Sequence, residues 1–275
     1  MMPAYLLIDC GNTRIKWALL DDLSIAPSDL LGKITEKTGL GHAWRAYGAR
    51  PHAEFEQLQA DWRNLPELQQ VIIANVAGPH VREQILEKLQ AVCRQLPKIE
   101  WFASSLQRAG VHNGYHQPSQ LGCDRFAAVI GAHAMLPGKN ILVANCGTAT
   151  TLDGITASGQ FIGGMILPGL ALMAQSLARN TAQLPQVQHA AQLPHTFADN
   201  TDDAIISGCI NAQAGAIEKT VRELEHRLAQ PVHCLLSGGA AFAIAPGLSI
   251  LHQLLDNLVL LGLHAVLRAE QASNA

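Results

Sequence analysis

The segments LLIDCGNTRIKWALL, Leu6 to Leu20, and ILVANCGTATTLDGI, Ile141 to Ile155, stand roughly half of the 275-residue chain apart and follow one plan. Each opens with an apolar run, passes through Asp/Asn-Cys-Gly and a small polar turn, and continues with polar and apolar residues in alternation. A short apolar run that meets a turn and then alternates reads as a β-hairpin with one face in a core. The same hairpin repeated at half the chain length implies a duplicated unit, and so two similar domains.

The order of the remaining segments agrees. In the first half, Leu6–Asp9 and Ile15–Leu20 read as strands, a third strand falls within 29–49, and 53–64 has helical spacing. VIIAN at 71–75 reads as a buried strand, Pro79 opens a helix, and IEWFA at 99–103 is a further strand. Residues 104–120 form a polar loop, and 121–136 form a helix that Pro137-Gly138 ends. The second half restarts with strands at 141–146, 150–155 and 161–166. Helices follow over 169–180 and 202–229, then a strand running into Gly238-Gly239, then a last helix over 254–270. Strand triplets followed by alternating helices and strands, twice over, give an α/β chain with two mixed sheets flanked by helices. The boundary is expected near Pro118, giving domains 1–118 and 119–275, with the terminal helix able to pack back on the first.

Composition narrows the function. The chain is 48% hydrophobic and 15% charged, with a formal net charge of −3 and no Lys/Arg run, which speaks against a nucleic-acid partner. None of the six cysteines forms a CxxC pair, and with no signal peptide in view the chain reads as reduced and cytoplasmic. Its most apolar segments fall short of the ~20 residues a bilayer span needs, so no membrane partner is expected. The twelve histidines show no HExxH pattern and no zinc spacing, and neither a GxxxxGK[ST] loop nor a GxSxG elbow occurs.

The hairpin tips hold the chemistry. Gly11 permits a turn with positive φ and a close ligand approach, and the exposed amides of such a turn form an anion-binding concavity. Asn12 and Thr13 add side-chain donors and Lys16 adds charge, while Asp9 suits a hydrated Mg²⁺, which takes one or two carboxylates and keeps several waters. Taken alone, the stretch also reads as ordinary turn chemistry. The second tip, Gly147-Thr148-Ala149-Thr150, shifts that balance, since two small-donor turns facing each other would make a cleft for a nucleoside triphosphate. Gly238-Gly239 offers another close backbone approach, suited to the flat face of an adenosine.

Six motifs in order then resemble one family: DCGNTRIKW at 9–17, YHQPSQLGCDR at 115–125, CGTATTLD at 146–153, GQFIGGMILPG at 159–169, NTDDAIISG at 200–208 and LLSGGAA at 235–241. The chain resembles the type III pantothenate kinases of the acetate-kinase/sugar-kinase/heat-shock/actin superfamily. The resemblance implies two ribonuclease-H-like domains around a cleft and ATP-dependent phosphorylation of pantothenate, the first step of coenzyme A synthesis. By resemblance, 9–16 is the first phosphate loop with Asp9 near the metal, Gly147 to Thr150 form the second, and Gly238-Gly239 is the adenosine segment. Tyr115, Gly122, Cys123, Asp124, Arg125 and Thr201 match the pantothenate site, with Asp124 as the base. The family is also implied to need Mg²⁺ and a monovalent cation, K⁺ or NH₄⁺, and to work as a homodimer.

Asp124 suits a base because a carboxylate within reach of an attacking hydroxyl can accept its proton, typically worth ~10²–10⁴-fold. Arg125 supplies a fork for a carboxylate, which pantothenate carries. Without the resemblance, this pair also reads as a helix's first-turn charge and a surface arginine. His112 and His116 flank the substrate loop. The second loop departs from the family pattern by opening with Asn145 in place of Asp, which gives up a negative charge and weakens any cation contact there. Asp153 is a candidate to carry part of that acidic role, or is a strand-end residue. An alternative follows from the same departure: an accessory nucleotide-binding protein with reduced or no kinase activity.

Overall fold

The computed structural model describes residues 4–27, 44–187 and 195–274. The chain forms two compact units, one of residues 1–137 with 258–275 and the other of 138–257. In chain order the first contains β1 (Ala4–Cys10), β2 (Arg14–Leu20), β3 (Ala46–Pro51), α1 (Gln57–Asp61), β4 (Leu68–Asn75), α2 (Pro79–Val92) and β5 (Lys98–Trp101). The small hairpin β6 (Gln107–Arg108) and β7 (Val111–His112) and helix α3 (Cys123–Met135) complete its N-terminal part. The second contains β8 (Asn140–Cys146), β9 (Ala149–Ile155), β10 (Phe161–Pro168), α4 (Leu170–Asn180), α5 (Thr201–Leu228), β11 (Val232–Ser237), α6 (Ala241–Ile244) and β12 (His252–Leu254). The last helix, α7 (Leu258–Asn274), returns to the first unit.

The two units repeat one sheet. The strand orders are β3-β2-β1-β4-β5 and β10-β9-β8-β11-β12. In each, the first three strands are antiparallel and the last two run parallel to the central strand or its neighbour. The duplication expected from the two hairpins therefore extends to the whole sheet. Parallel neighbours need long crossovers, which α2 supplies in the first unit and α5 in the second. The apolar face of β1 (Leu6, Ile8, Cys10) packs with Phe55, Leu58, Trp62 and Ile85, and that of β8 (Leu142, Ala144, Cys146) packs with Ile206, Ile210 and Ile217 of α5.

The division at Pro137/Gly138 differs from the one expected near residue 118, because α3 packs within the first unit. Its partner is α7, and the crossing is made on glycine. A Cβ on Gly262 would lie 1.8 Å from the carbonyl oxygen of Ala127, and one on Gly131 would lie 2.4 Å from that of Leu258. The far end of α7 is tied down by side chains: Arg108 bonds Glu100 at 2.6 Å and also pairs with Glu270, and Gln271 donates to the Tyr5 hydroxyl. Arg108 and Glu270 lie 162 positions apart, and Tyr5 and Gln271 lie 266 apart, so no local signal announces these two ties.

Other differences are local. The polar loop contains β6–β7, too short to leave a periodic signature, and the helix expected over 53–64 shortens to a 3₁₀ turn at His52–Glu54 and α1. The last helix starts at Leu258, not Leu254, because His252–Leu254 add to the sheet edge beside β11 and Asn257 takes a left-handed φ of 62°. Of the range 29–49 expected to hold the third strand, 29–43 lies outside the described residues, and β3 begins within its end and runs on to Pro51. Among the described residues, no helix is long and apolar enough to cross a membrane.

Two predictions follow from the α3–α7 contact. Replacing Gly262 by alanine in an open helix would add about 1 kcal/mol of helix propensity, but here the methyl must displace the α3 backbone, and overpacking costs typically ~1–3 kcal/mol. Chemical denaturation of Gly262→Ala should show a net loss of stability; an unchanged or raised midpoint would refute this crossing. On α7, His264 is fully buried, and neither ring nitrogen meets a hydrogen-bond partner among the described residues. Burial, helped by Arg268 and opposed by Asp22, pushes its pKa from 6.5 down to about 4. The unfolded chain then takes up a proton near pH 6.5 that the folded state refuses until about pH 4. Stability is full above pH 6.5 and falls as pH drops through that window, by up to about 3 kcal/mol. Denaturation of His264→Leu across pH 4 to 7 should show a shallower fall than the unaltered chain.

Candidate active site

In the first unit the site begins where β1 ends. Asp9 pairs across the hairpin with Lys16, Cys10 pairs with Ile15, and the Gly11 amide donates to the Arg14 carbonyl at 3.1 Å, which closes the turn. Asn12, Thr13 and Arg14 are exposed at the tip. The positive φ expected at Gly11 is absent; a side chain there would instead sit 3.3 Å from the Arg14 carbonyl oxygen. The chain leaving β4 caps this end of the sheet: Val76 donates its amide to Cys10 at 3.0 Å, and Asn75 uses its side chain to hold Ala77 N–H and Gly78 C=O, both at 2.9 Å.

The start of α3 leans on the same place. The Cys123 thiol points to the Asn75 carbonyl at 3.6 Å, and Asn75 is the cross-strand neighbour of Cys10. Burial raises the Cys123 pKa to about 11, and the negative charges of Asp124 and Asp9 push in the same direction. Cys10 is raised well above the usual thiol range by burial, then by Asp9 and Cys123. Both thiols therefore stay protonated at neutral pH and act as packing groups. Their mutual influence places Asp9, Cys10, Cys123 and Asp124 within one electrostatic neighbourhood.

Asp124 sits in the first turn of α3, which Gly122 caps. Its Oδ1 accepts the Arg125 amide at 2.8 Å, and a side chain at 122 would meet that oxygen at 2.7 Å, so Gly122 is what lets the carboxylate fold back. Burial raises the Asp124 pKa, against opposing contributions from the Arg125 amide and charge. Arg125 is not a surface arginine: it is buried, donates to the Tyr115 hydroxyl at 3.1 Å, and lies 5.9 Å from the centre of that ring. Tyr115 in turn is placed by Asn113, a buried residue whose side chain accepts the Tyr115 amide and donates to Pro118 C=O, both at 3.0 Å. His112 and His116 are exposed to either side.

The second unit builds the matching tip. Asn145 lies between Thr151 and Ser237, Gly147 donates to Ala149 C=O at 3.1 Å, and Gly147, Thr148 and Ala149 are exposed. This turn is one residue shorter than the first, lacking a counterpart of Asn12. Thr150 differs from expectation: it is fully buried on β9, and its hydroxyl meets no partner among the described residues. Asp153 is also buried, in the middle of β9 opposite Val143 and Gly164, so it is not a strand-end residue.

Gly238 adopts φ 91°, and a Cβ on it would press to 2.5 Å of the Cys146 carbonyl oxygen; Gly239 faces open space. Ala240 donates to Cys146 C=O at 3.0 Å, as Val76 does to Cys10. Thr201 stands at the start of α5 and lines an apolar groove of about 780 Å³ with Pro168, Leu172, Leu177 and Ile205.

Structure thus gathers Asp9, Gly11–Lys16, Tyr115 and Gly122–Arg125 at one edge of the first unit, and Asn145, Gly147–Thr150 and Gly238-Gly239 at the corresponding edge of the second. Sequence reasoning missed Asn113 and Gly169. Asn113 lies in the quoted loop, and its side chain bonds only to backbone groups, which no periodicity marks. Gly169 closes the fourth motif; its amide donates to Thr148 C=O at 3.0 Å, and a Cβ on it would collide with Gly147 C=O at 2.3 Å.

The family model of the type III pantothenate kinases matches residues 5–223. A type III pantothenate kinase of Herminiimonas arsenicoxydans is 49% identical over 264 residues, covering 95% of this chain and 96% of that protein. One of Janthinobacterium sp. (strain Marseille) is 50% identical over 263 residues, covering 95% and 96%. Among solved structures, a conserved Baf family protein from Campylobacter jejuni matches over 98% of this chain and 100% of its own, with a TM-score of 0.52 and 18% identity, a likeness of fold.

The raised pKa of Asp124 fixes the sign of a stability change. Between the ordinary carboxyl value and its raised one, the folded state holds a proton that the unfolded chain has released. Stability therefore falls as pH rises through that window, and at neutral pH the ionised, desolvated carboxylate is a cost. Asp124→Asn should melt higher than the unaltered chain at pH 7, and the advantage should vanish below the ordinary carboxyl pKa of about 3.9. A lower melting temperature at pH 7 would show the carboxylate to be a net stabilising group.

Proposed function

We propose that this chain, which belongs to the type III pantothenate kinase family, works through its first unit's acidic edge with Asp124 as the base. The chain is a pantothenate kinase: it transfers a phosphoryl group from ATP to pantothenate and so opens coenzyme A synthesis. The observation that carries the assignment of the base is the desolvated Asp124 carboxylate, held beside the first hairpin and oriented by its own helix start. Desolvation raises its proton affinity toward what a general base needs at neutral pH.

The remaining roles follow from the chemistry of each group. Phosphoryl transfer leaves the protein to position reactants and neutralise charge. Asn12, Thr13 and Lys16 on one tip, and Thr148 and Ala149 on the other, are the groups assigned to the phosphates through amides, hydroxyls and one ammonium, while Gly11 and Gly147 shape the turns that carry them. Thr150, buried behind its tip, supports that loop. Gly239, with open space before it, and Gly238, whose φ of 91° suits glycine alone, let the adenosine approach. Tyr115 and Arg125 form a preassembled fork for the pantothenate carboxylate, and Thr201, at the start of α5, keeps the substrate role the resemblance implies.

A single carboxylate beside an amide-rich turn suits a mostly hydrated Mg²⁺, so Asp9 is the residue to hold it, with Asn145 adding at most a neutral oxygen. That ion, when bound, offsets the charge of the phosphates. A monovalent cation, a homodimeric assembly and a cytoplasmic setting complete the reading. The relatives' names favour a working kinase over the accessory, non-catalytic alternative.

Purified chain supplied with ATP, Mg²⁺, K⁺ and pantothenate should form phosphopantothenate. Asp124→Asn should lower kcat by about 10²–10⁴-fold, the usual worth of a positioned base. The acid limb of kcat/KM for pantothenate should fall off with an apparent pKa above the ordinary 3.9. Folded protein with no turnover, or an Asp124→Asn variant as active as the unaltered chain, would remove the reading. Omitting K⁺ and NH₄⁺ tests the monovalent requirement separately.

A further inference from the structure

His52 contacts the first hairpin tip twice, and no role considered so far includes it. It follows Pro51, the last residue of β3, which pairs with Arg14 at the start of β2. That register sets His52 beside the turn. Its amide donates to the Thr13 carbonyl at 3.2 Å, and its ring Nε2 lies 2.8 Å from the Gly11 carbonyl oxygen. A carbonyl only accepts, so Nε2 carries the hydrogen. Together with the Gly11-to-Arg14 bond, these contacts fix the tip's backbone at three points.

We propose that His52 is a positioning residue for nucleotide phosphate: its imidazole pins the Gly11–Asn12 peptide so that the Asn12 amide faces the ligand. The reason is peptide geometry. A trans peptide holds the carbonyl of one residue and the amide of the next in one plane and pointing in opposite directions. With Gly11 C=O bound to His52, the Asn12 N–H must point away from His52, on the open side of the turn. An unpinned peptide could rotate and aim its oxygen at the phosphates, replacing an attraction by a repulsion.

Two further observations support it. His52 is itself held firmly from behind. Arg50 grips Asp61 through two bonds of 2.8 Å and Gln57 at 2.9 Å, while Phe55, Leu58 and Trp62 sit in the core. A ring on so fixed a base can restrain a turn. The duplicated unit also meets the same need at the same position. Pro168 ends β10, pairs with Ala149 as Pro51 pairs with Arg14, and is followed by Gly169. Gly169 donates to Thr148 C=O as His52 does to Thr13, and packs directly on the carbonyl of Gly147, the counterpart of Gly11. The shorter second turn is thus buttressed by backbone, and the longer first turn by an imidazole that spans the extra distance.

The inference rests on the kinase reading for its ligand, but its test does not depend on turnover. Binding of Mg²⁺ with a non-hydrolysable ATP analogue to the full chain should weaken about 5- to 20-fold in His52→Ala, the range expected for one lost hydrogen bond at an ordered site. The KM for ATP should rise in parallel, while the KM for pantothenate stays within about twofold. His52→Gln keeps an N–H donor at similar reach and should recover most of the affinity; His52→Met, similar in reach and uncharged but without the donor, should not. Equal analogue affinity in the Gln and Met variants, or equal loss toward both substrates, would overturn the proposal, and the Gln/Met pair decides the matter even where the alanine variant folds poorly. If the unaltered chain binds the analogue yet leaves pantothenate untouched, the kinase reading fails and the His52 comparison still stands on its own result.

Discussion

The helix that carries Asp124 is positioned by a backbone-to-backbone contact between α3 and α7, and most of the first unit's edge depends on it. A Cβ on Gly262 would lie 1.8 Å from the Ala127 carbonyl oxygen, so the two helices approach as closely as their main chains allow. Close packing of this kind leaves one depth and nearly one rotation for α3. The helix start is thereby set against Asn75, where its Cys123 thiol fills the gap behind the end of β1. Because α7 returns to the first unit after the whole of the second, the acidic edge is complete only once that helix has docked. Arg108, Glu270, Gln271 and Tyr5 anchor the returning helix at its other end.

Duplication explains why two tips resemble each other, and their differences show how each half has been used. Both turns close on a glycine amide, both have the carbonyl of the preceding cysteine capped by the chain leaving the parallel neighbour, and both are buttressed by the residue after a strand-ending proline. What has diverged is charge and length. The first turn keeps Asp9 and gains Asn12, with His52 behind it. The second has Asn145, loses one residue, and packs glycine on glycine. A shorter turn with a glycine buttress needs no side chain to hold it.

Much of this was legible in the sequence. The paired hairpins predicted a repeated unit, and β1, β2, β8, β9 and β10 lie where alternation and apolar runs put them, because such strands need one buried face regardless of context; β3 was placed only within a broad range and falls at its end. The helix at 121–136 was also plain. Its allegiance was not, since a helix between two sheets carries the same pattern whichever it covers, and only the glycine crossing with α7 decides. Strand β12 was unreadable because three residues at a sheet edge carry no period. Gly11 was read for a dihedral it does not adopt; turn glycines serve either conformation or clearance, and a sequence does not say which. His52 could not have been found by motif, as its meaning comes from the β2–β3 register and a 2.8 Å contact across 41 positions.

The ionisable groups are divided unevenly between the halves, and this bears on how the reaction is organised. At the first tip stand Asp9, Lys16, Asp124 and Arg125, while the second presents amides, small side chains and the neutral Asn145. Neutral donors stabilise phosphate without competing for protons, and they do not raise the pKa of a neighbouring carboxylate as a like charge would. Under the proposed assignment, Asn145 in place of a carboxylate leaves one negative charge fewer at the second tip. The cost is a weaker hold on any cation at that position. Under the proposed assignment, proton transfer falls to the first unit, where burial raises the Asp124 pKa, and the exposed turn of the second unit carries no ionisable side chain.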